Sequence, residues 1–542
     1  MQEEYDYVIV GAGSAGCTLA CRLTEDPTVR VLLLEAGGAD INPLIHLPIG
    51  VGKIWKNRLH DWGYDTEPEP NLHNRAIEVM RGKVLGGSSA INAMAHMRGH
   101  PADYDRWSRN GATGWSYRDA LPYFIKTENW AGNGHDVDEK LRGTGGPVPV
   151  RFTNTTDPIS QAIVEAGRSA GWGTSEDING HKAEGFALAQ STIKRGRRAS
   201  AAVAYLRPAL KRQNLTLQMH VLATRVLFEE SRAVGIEYLE HGRPKAARAA
   251  REVILASGSI NTPQLLMLSG VGPAAQLEKH GLHVVASLPV GDNFQDHLCV
   301  NVGHRRTGTS PLQHALRVDR FALSLAEAFF CGTGHATALP GGVTAMLKSR
   351  PDAEVTDIQL LFRGAAMEAA PWIGSAPNWT DAFFLRPVAV HPESRGRIEL
   401  ASTDPRQHPR IRANFLSVGK DLDTLVEGVR ITREVFAQPA MDPYRGEEIF
   451  PGPKANSKEA VIEFIRKTAV TAHHPCGTCR MGSDEAAVVD TQLRVRGVEN
   501  LRVVDASVMP DLVSTNINAC VLMIAEKAAD LIRGKPAPAA PA

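Results

Sequence analysis

The chain is poor in cysteine. Seven in 542 residues, an odd number without regular spacing, do not make a disulfide framework and fit a reducing compartment. An excess of either charge is also missing. Sixty Lys and Arg against 59 Asp and Glu leave a formal net charge of +1, which gives no electrostatic ground for binding nucleic acid or an acidic lipid surface. No uninterrupted apolar run is long enough to span a bilayer. Nor does the start resemble a signal peptide, because Met1-Gln-Glu-Glu leads straight into a strand-like run with no basic segment before an apolar one. The expectation is a cytoplasmic protein with no transmembrane segment and no nucleic-acid partner, peripheral attachment to the inner membrane being left open. No internal repeat is visible.

What the chain has is length and glycine. At 542 residues, 43% apolar and 22% charged, it exceeds what one core usually supports, so two large or interleaved domains are expected. Near the start, Gly11-Ala-Gly13-Ser14-Ala15-Gly16 falls between a strand-like run, Tyr5 to Val10, and a helix-like run from about Ser14. Gly11 can take a tight turn, Gly13 lets backbone approach a pyrophosphate, and Gly16 lets helix lie close to strand. Free N–H groups at the helix start then face the phosphates. A second apolar run, Val29 to Leu34, ends in Glu35, placed to bind a ribose diol. An acid there favours an unphosphorylated ribose. A dinucleotide site follows, with NAD and FAD both open at this point.

Further along, Arg306 to Ile449 carries irregular apolar runs broken by proline and glycine, with strand-like stretches at Asp357–Phe362, Ala382–Val390 and Gly396–Leu400. This reads as a second, mostly antiparallel domain. Strand-like segments of the cofactor domain occur before it, at Glu252–Ala256, and after it, at Leu501–Val504, so that domain is discontinuous in sequence. Ala519 to Arg533 reads as a C-terminal helix stopped by a glycine, and the Pro/Ala-rich end as a disordered tail.

Two further segments identify the cofactor. Arg81-Gly82-Lys-Val-Leu-Gly86-Gly87-Ser88-Ser89-Ala-Ile91-Asn92 is a glycine and hydroxyl loop able to set backbone amides against a phosphate or flat ring. Gly258-Ser-Ile-Asn-Thr262-Pro263 through Ser269-Gly270-Val-Gly272 combines a strand end, a Thr-Pro helix start and a glycine stop. With the N-terminal turn they resemble the glucose-methanol-choline oxidoreductase family. The resemblance extends over most of the chain, through Arg98–Trp107, Val290–His297, His474–Gly482 and Val504–Pro510.

The resemblance implies FAD and an α/β fold, α+β overall: a Rossmann-like FAD-binding domain over 1–150, 192–305 and 470–536, and a mostly antiparallel substrate domain over 151–191 and 306–469, with the tail at 537–542. It implies Gly11, Gly13, Ser14, Ala15, Gly16, Glu35 and Ala36 on the ADP side and Val221 near the adenine. Gly82, Gly87, Ser88, Asn92 and Ala93 line the pyrophosphate and flavin side, and Asp505 with Ala506 returns to the ribitol or pyrophosphate. Several members tether the flavin through a histidine just before the loop asparagine. Here that position is Ile91, so non-covalent FAD is expected.

Oxidising an alcohol by hydride transfer needs a base for the hydroxyl proton, and a pocket histidine suits that role. Of the adjacent His473 and His474, the one before proline carries the family's base, so His474 is the expected catalytic residue and His473 a structural one. The resemblance puts Asn518 opposite the same substrate oxygen and Asn516 on the flavin. His297 is expected to be structural. Cys476-Gly-Thr-Cys479 has the spacing of a redox or zinc pair, but no second pair completes a zinc site, so no metal is expected. The expected function is FAD-dependent oxidation of a small-molecule alcohol to an aldehyde or ketone, the hydride passing to flavin N5. A quinone, another carrier or oxygen is the electron acceptor, and the family branch favours a dehydrogenase over an oxidase. The alternative is a hydroxynitrile-lyase-like enzyme that holds FAD without using its redox chemistry.

Overall fold

The computed structural model describes residues 4–132, 137–339, 341–366 and 368–539. Strand Glu4–Val10 lies between Val31–Leu34 and the long strand Arg243–Leu255, parallel to both. Leu215–Gln218 adds on beyond Val31–Leu34, and Leu501–Val503 pairs with the end of Arg243–Leu255, both in parallel. Val8, Ile9, Leu32 and Leu33 are buried almost completely, as expected of parallel strands covered on both faces. An antiparallel ribbon, Val221–Glu229 with Arg232–Glu240, completes this seven-stranded sheet. Helix Ser14–Leu23 packs against the C-terminal helix Asn518–Arg533, which is stopped by Gly534 in the left-handed region.

A second sheet has eight strands, every pairing antiparallel. Its centre is Val343–Leu347, Ile358–Arg363 and Ala382–Ala389, close to two of the stretches read from sequence. The third, Gly396–Glu399, pairs instead with Asp292–Phe294 and Arg410–Arg412 in a small separate sheet. Helix Gly419–Phe436 covers the back of the eight-stranded sheet, and Gly428 lies so near strand Ala382–Ala389 that a Cβ would come 2.6 Å from Pro387.

The junctions expected at 305/306 and 469/470 run through or beside strands of this sheet, because Leu298–Cys299, Val302–Arg306 and Val470–Thr471 all hydrogen-bond within it. Short strands of this kind are recruited by pairing partners far along the chain, which local composition does not disclose. Of the tail at 537–542, residues 537–539 lie in no element and 540–542 fall outside the described residues.

Candidate active site

A cavity of about 1120 Å³ is lined by residues of both sheets, larger than the roughly 300–1,000 Å³ of an ordinary small-ligand site. Every residue expected from sequence to bind the cofactor or carry the reaction lines it except Gly16. Gly16 acts from behind: a Cβ there would sit 1.8 Å from the Gly11 carbonyl oxygen. Gly11 itself has φ +99°, and its Cβ would meet the Ala256 carbonyl at 2.6 Å. Gly13 differs, because its Cβ would meet nothing within 4 Å. No side chain caps the helix that begins at Ser14, so its first N–H groups and its positive dipole end are left for an anion.

Beside that turn, Glu35 accepts from Ala12 N at 2.9 Å and Gly37 N at 2.7 Å, while burial pushes its carboxyl up to about 7. Val221 donates its N–H to the Glu35 carbonyl, which places the two side by side. On the second loop, a Cβ on Gly82 would sit 2.3 Å from the Gly87 carbonyl oxygen, and Ser88 Oγ accepts from Gly82 N. Asp505 accepts from Gly258 N, Thr262 Oγ1 and Ser507 N, tying two cavity walls together. A helix start without a cap, an acid at diol distance along the chain and a cradle of cavity-facing glycine fit a dinucleotide such as FAD.

Arg198 was not legible in the sequence. It is buried, and its guanidinium donates to the carbonyls of Ile45, Ser89 and Asn92 and to Asn92 Oδ1, bracing the glycine loop from beneath. Burial holds it down to about 9. No motif marks such a residue, because its partners are backbone carbonyls.

At the other end of the cavity His474, 8% exposed, is fixed on three sides. Its N–H donates to Asp296 Oδ1 at 2.7 Å, its Nδ1 lies 2.9 Å from His297 Nδ1, and its Nε2 lies 3.0 Å from Asn516 Nδ2. Burial, with His297 and Arg81 nearby, holds its pKa well below the usual imidazole value. Burial likewise lifts the Asp296 carboxyl to about 6. His473 has φ 64°. Its Nδ1 accepts from Met80 N at 3.3 Å, and its ring meets Trp55 edge-on.

Of the two asparagines, Asn516 Nδ2 meets His474, whereas Asn518 Oδ1 accepts from Ser14 Oγ at 2.7 Å beside the glycine turn. They flank the entry into helix Asn518–Arg533, where two residues of chain turn side chains to different walls. His297, expected to be structural, touches His474 directly, with its Nε2 at 3.1 Å from the Val390 carbonyl. The thiols Cys476 and Cys479 are buried and free. Among the described residues no group of three His, Cys, Asp or Glu could hold a metal.

The family model for GMC oxidoreductase matches residues 5–299, and its C-terminal counterpart matches 392–525. Mitochondrial choline dehydrogenase of Mus musculus is 44% identical over 99% of this chain and 90% of its own length. Oxygen-dependent choline dehydrogenase of Brucella anthropi is 44% identical over 98% of this chain and 96% of its own. Among solved structures, pyridoxine 4-oxidase from Mesorbium loti superimposes with a TM-score of 0.87 at 31% identity, covering 98% of this chain and 100% of that one. An Aspergillus oryzae formate oxidase variant gives 0.91 at 28%, covering 98% and 99%. None of these four is a lyase. The chain belongs to the GMC oxidoreductase family, and its activity is the FAD-dependent oxidation of an alcohol.

Proposed function

We propose that His474 is the base that takes the hydroxyl proton of a small-molecule alcohol, and that Asn516 holds the oxygen from which it comes. The observation that carries this is the hydrogen-bond chain from Val390 through His297 and His474 to Asn516. A carbonyl only accepts, so His297 donates to Val390 from Nε2 and presents a bare Nδ1. His474 must then donate from Nδ1, which leaves the lone pair on Nε2. Gln359 Nε2 donates to Asn516 Oδ1 at 3.4 Å, so the Asn516 amide turns its N–H toward Nε2, and the substrate hydroxyl takes over that lone pair while its oxygen accepts the Asn516 N–H. FAD, when bound, supplies the acceptor for the two electrons and the hydrogen leaving the carbinol carbon. The imidazolium keeps its Nδ1–H bond to His297 while the proton is held.

Choline, named in the relatives, is the first alcohol to consider, but the substrate end of the cavity offers it no carboxylate. Ile91 brings no nucleophile to the glycine loop, which supports FAD held without a covalent bond. We take the acceptor to be a quinone or other carrier ahead of oxygen. We place the reaction in the cytoplasm, which the seven free cysteines support. No helix among the described residues is long and apolar enough to cross a membrane.

Replacing His474 by Ala should slow anaerobic flavin reduction about 10²–10⁴-fold. In the wild type the reduction rate should stay level as pH falls through 6.5 and drop only below it, because a lowered pKa keeps Nε2 unprotonated into the acid range. Full-speed reduction by the alanine variant would refute the assignment.

A further inference from the structure

The wall of the cavity built by the eight-stranded sheet carries two partly buried cations without an ion pair among the described residues, the carboxylate nearest to answering them being that of Glu368, which is exposed and acts on Arg363 only at a distance. Across Ile358–Arg363 and Ala382–Ala389, Leu361 pairs with Arg386 and Arg363 with Phe384. Directly opposed residues and their second neighbours share a face, so both guanidiniums stand on one side of the sheet. The other side belongs to helix Gly419–Phe436, which Pro387 touches at Gly428. Arg363 and Arg386 accordingly both line the cavity.

Neither has an adequate partner. The Nε of each is buried without a hydrogen bond. Arg386 Nη2 donates to Cys299 Sγ at 2.8 Å, and that thiol donates onward to the Val470 carbonyl. A thiol is a weak acceptor with no charge to offer, and burial raises the pKa of this one. Arg363 lies over the Phe384 ring, 4.7 Å from its centroid. Burial, and then the neighbouring Arg386, hold Arg363 down to about 10, with the exposed Glu368 offsetting only part of this. Among the described residues neither forms an ion pair. The carboxylates lining the cavity, Glu35 and Asp505, belong to the dinucleotide end and accept from backbone N–H groups there. Two like charges side by side and partly withdrawn from water are costly unless an opposite charge joins them.

Their position relative to the chemistry is fixed by register. Gln359 shares their face two residues before Leu361, and its amide reaches Asn516. A two-residue step along a strand is about 7 Å, so Arg386, opposite Leu361, stands one such step from Gln359 and Arg363 two, a short molecular chain away from His474.

We propose that the alcohol this protein oxidises is an anion: a small molecule whose carbinol sits at His474 and whose carboxylate or phosphate is held between Arg363 and Arg386. This rests on His474 being the base. A planar guanidinium pair offers forked donors to either anion, whereas the trimethylammonium of choline would meet two cations and no carboxylate.

The test is anaerobic flavin reduction of the FAD-loaded enzyme by ω-hydroxybutanoate, hydroxypropyl phosphate, butanol and choline. At least one anionic probe should exceed butanol and choline in kcat/KM by about tenfold or more, as expected of a charge-assisted contact, and the better of the two identifies carboxylate or phosphate. In Arg386→Met the anion-over-butanol ratio should collapse toward one, and Arg386→Lys should restore part of it. Should that variant not fold, the wild type suffices: butyrate, which has no hydroxyl to oxidise, should inhibit competitively and tetramethylammonium should not. Butanol or choline matching both anions, or inhibition by tetramethylammonium alone, overturns the anionic substrate and leaves the base in place. No flavin reduction by any of the four overturns the base itself, and this inference with it.

Discussion

At His474 the outcome turns on one proton and one neighbour. The ring is fixed from behind by His297 and from the side by Asn516, so each contact can be removed separately. Asn516→Ala should lower the rate of flavin reduction about 10²-fold, the scale of one lost donor at a developing oxyanion, with FAD affinity nearly kept. Asn518→Ala should do the reverse, because its bond goes to Ser14 at the glycine turn. Stopped-flow reduction and FAD titration of the apoprotein distinguish them, and equal effects from both variants would contradict this division of roles. The importance of His474 was legible because its block resembles a family segment. Which asparagine meets it was not, since two polar residues at a helix entry look alike in sequence while their side chains reach different walls.

The elements show how far glycine spacing can be read. In the turn between strand Glu4–Val10 and helix Ser14–Leu23, three glycines have three surroundings. Gly16→Ala forces a Cβ to 1.8 Å from a backbone oxygen, so the turn or the helix must move; apoprotein stability and FAD affinity should both fall. Gly13→Ala meets open cavity, so the apoprotein should stay within about 1 kcal/mol of wild type, a cap-scale effect, while FAD affinity drops. Thermal melts of the apoprotein with FAD titration check the contrast. The strands Ile358–Arg363 and Ala382–Ala389 were legible as apolar runs. The register that puts Arg363 and Arg386 on the cavity face was not, because a one-residue slip would move them to the back.

Across the whole molecule, distant segments are fastened by buried charge. Glu526 in the C-terminal helix has a fully buried side chain and bonds Arg22 of the first helix, Lys126 at 3.2 Å and the Tyr205 hydroxyl at 3.0 Å. Removing it leaves the half-buried Arg22 with Glu25 alone and the Tyr205 hydroxyl without its acceptor, so Glu526→Ala should cost about 3 kcal/mol in urea unfolding. FAD should also be lost at lower denaturant, since the same helix begins with Asn518. An unchanged urea midpoint would show that the cluster contributes nothing. By itself the sequence determined the dinucleotide turn, the acid that follows it, the family and the histidine proposed as the base, because each depends on local backbone geometry or on residue types at short spacing. Only the tertiary structure decided the edges of the second sheet, the partner of His474, the brace at Arg198 and the pair of arginines facing the cavity. Those depend on which surfaces meet between segments far apart along the chain, and such pairing is set by packing of the whole chain rather than by any local pattern.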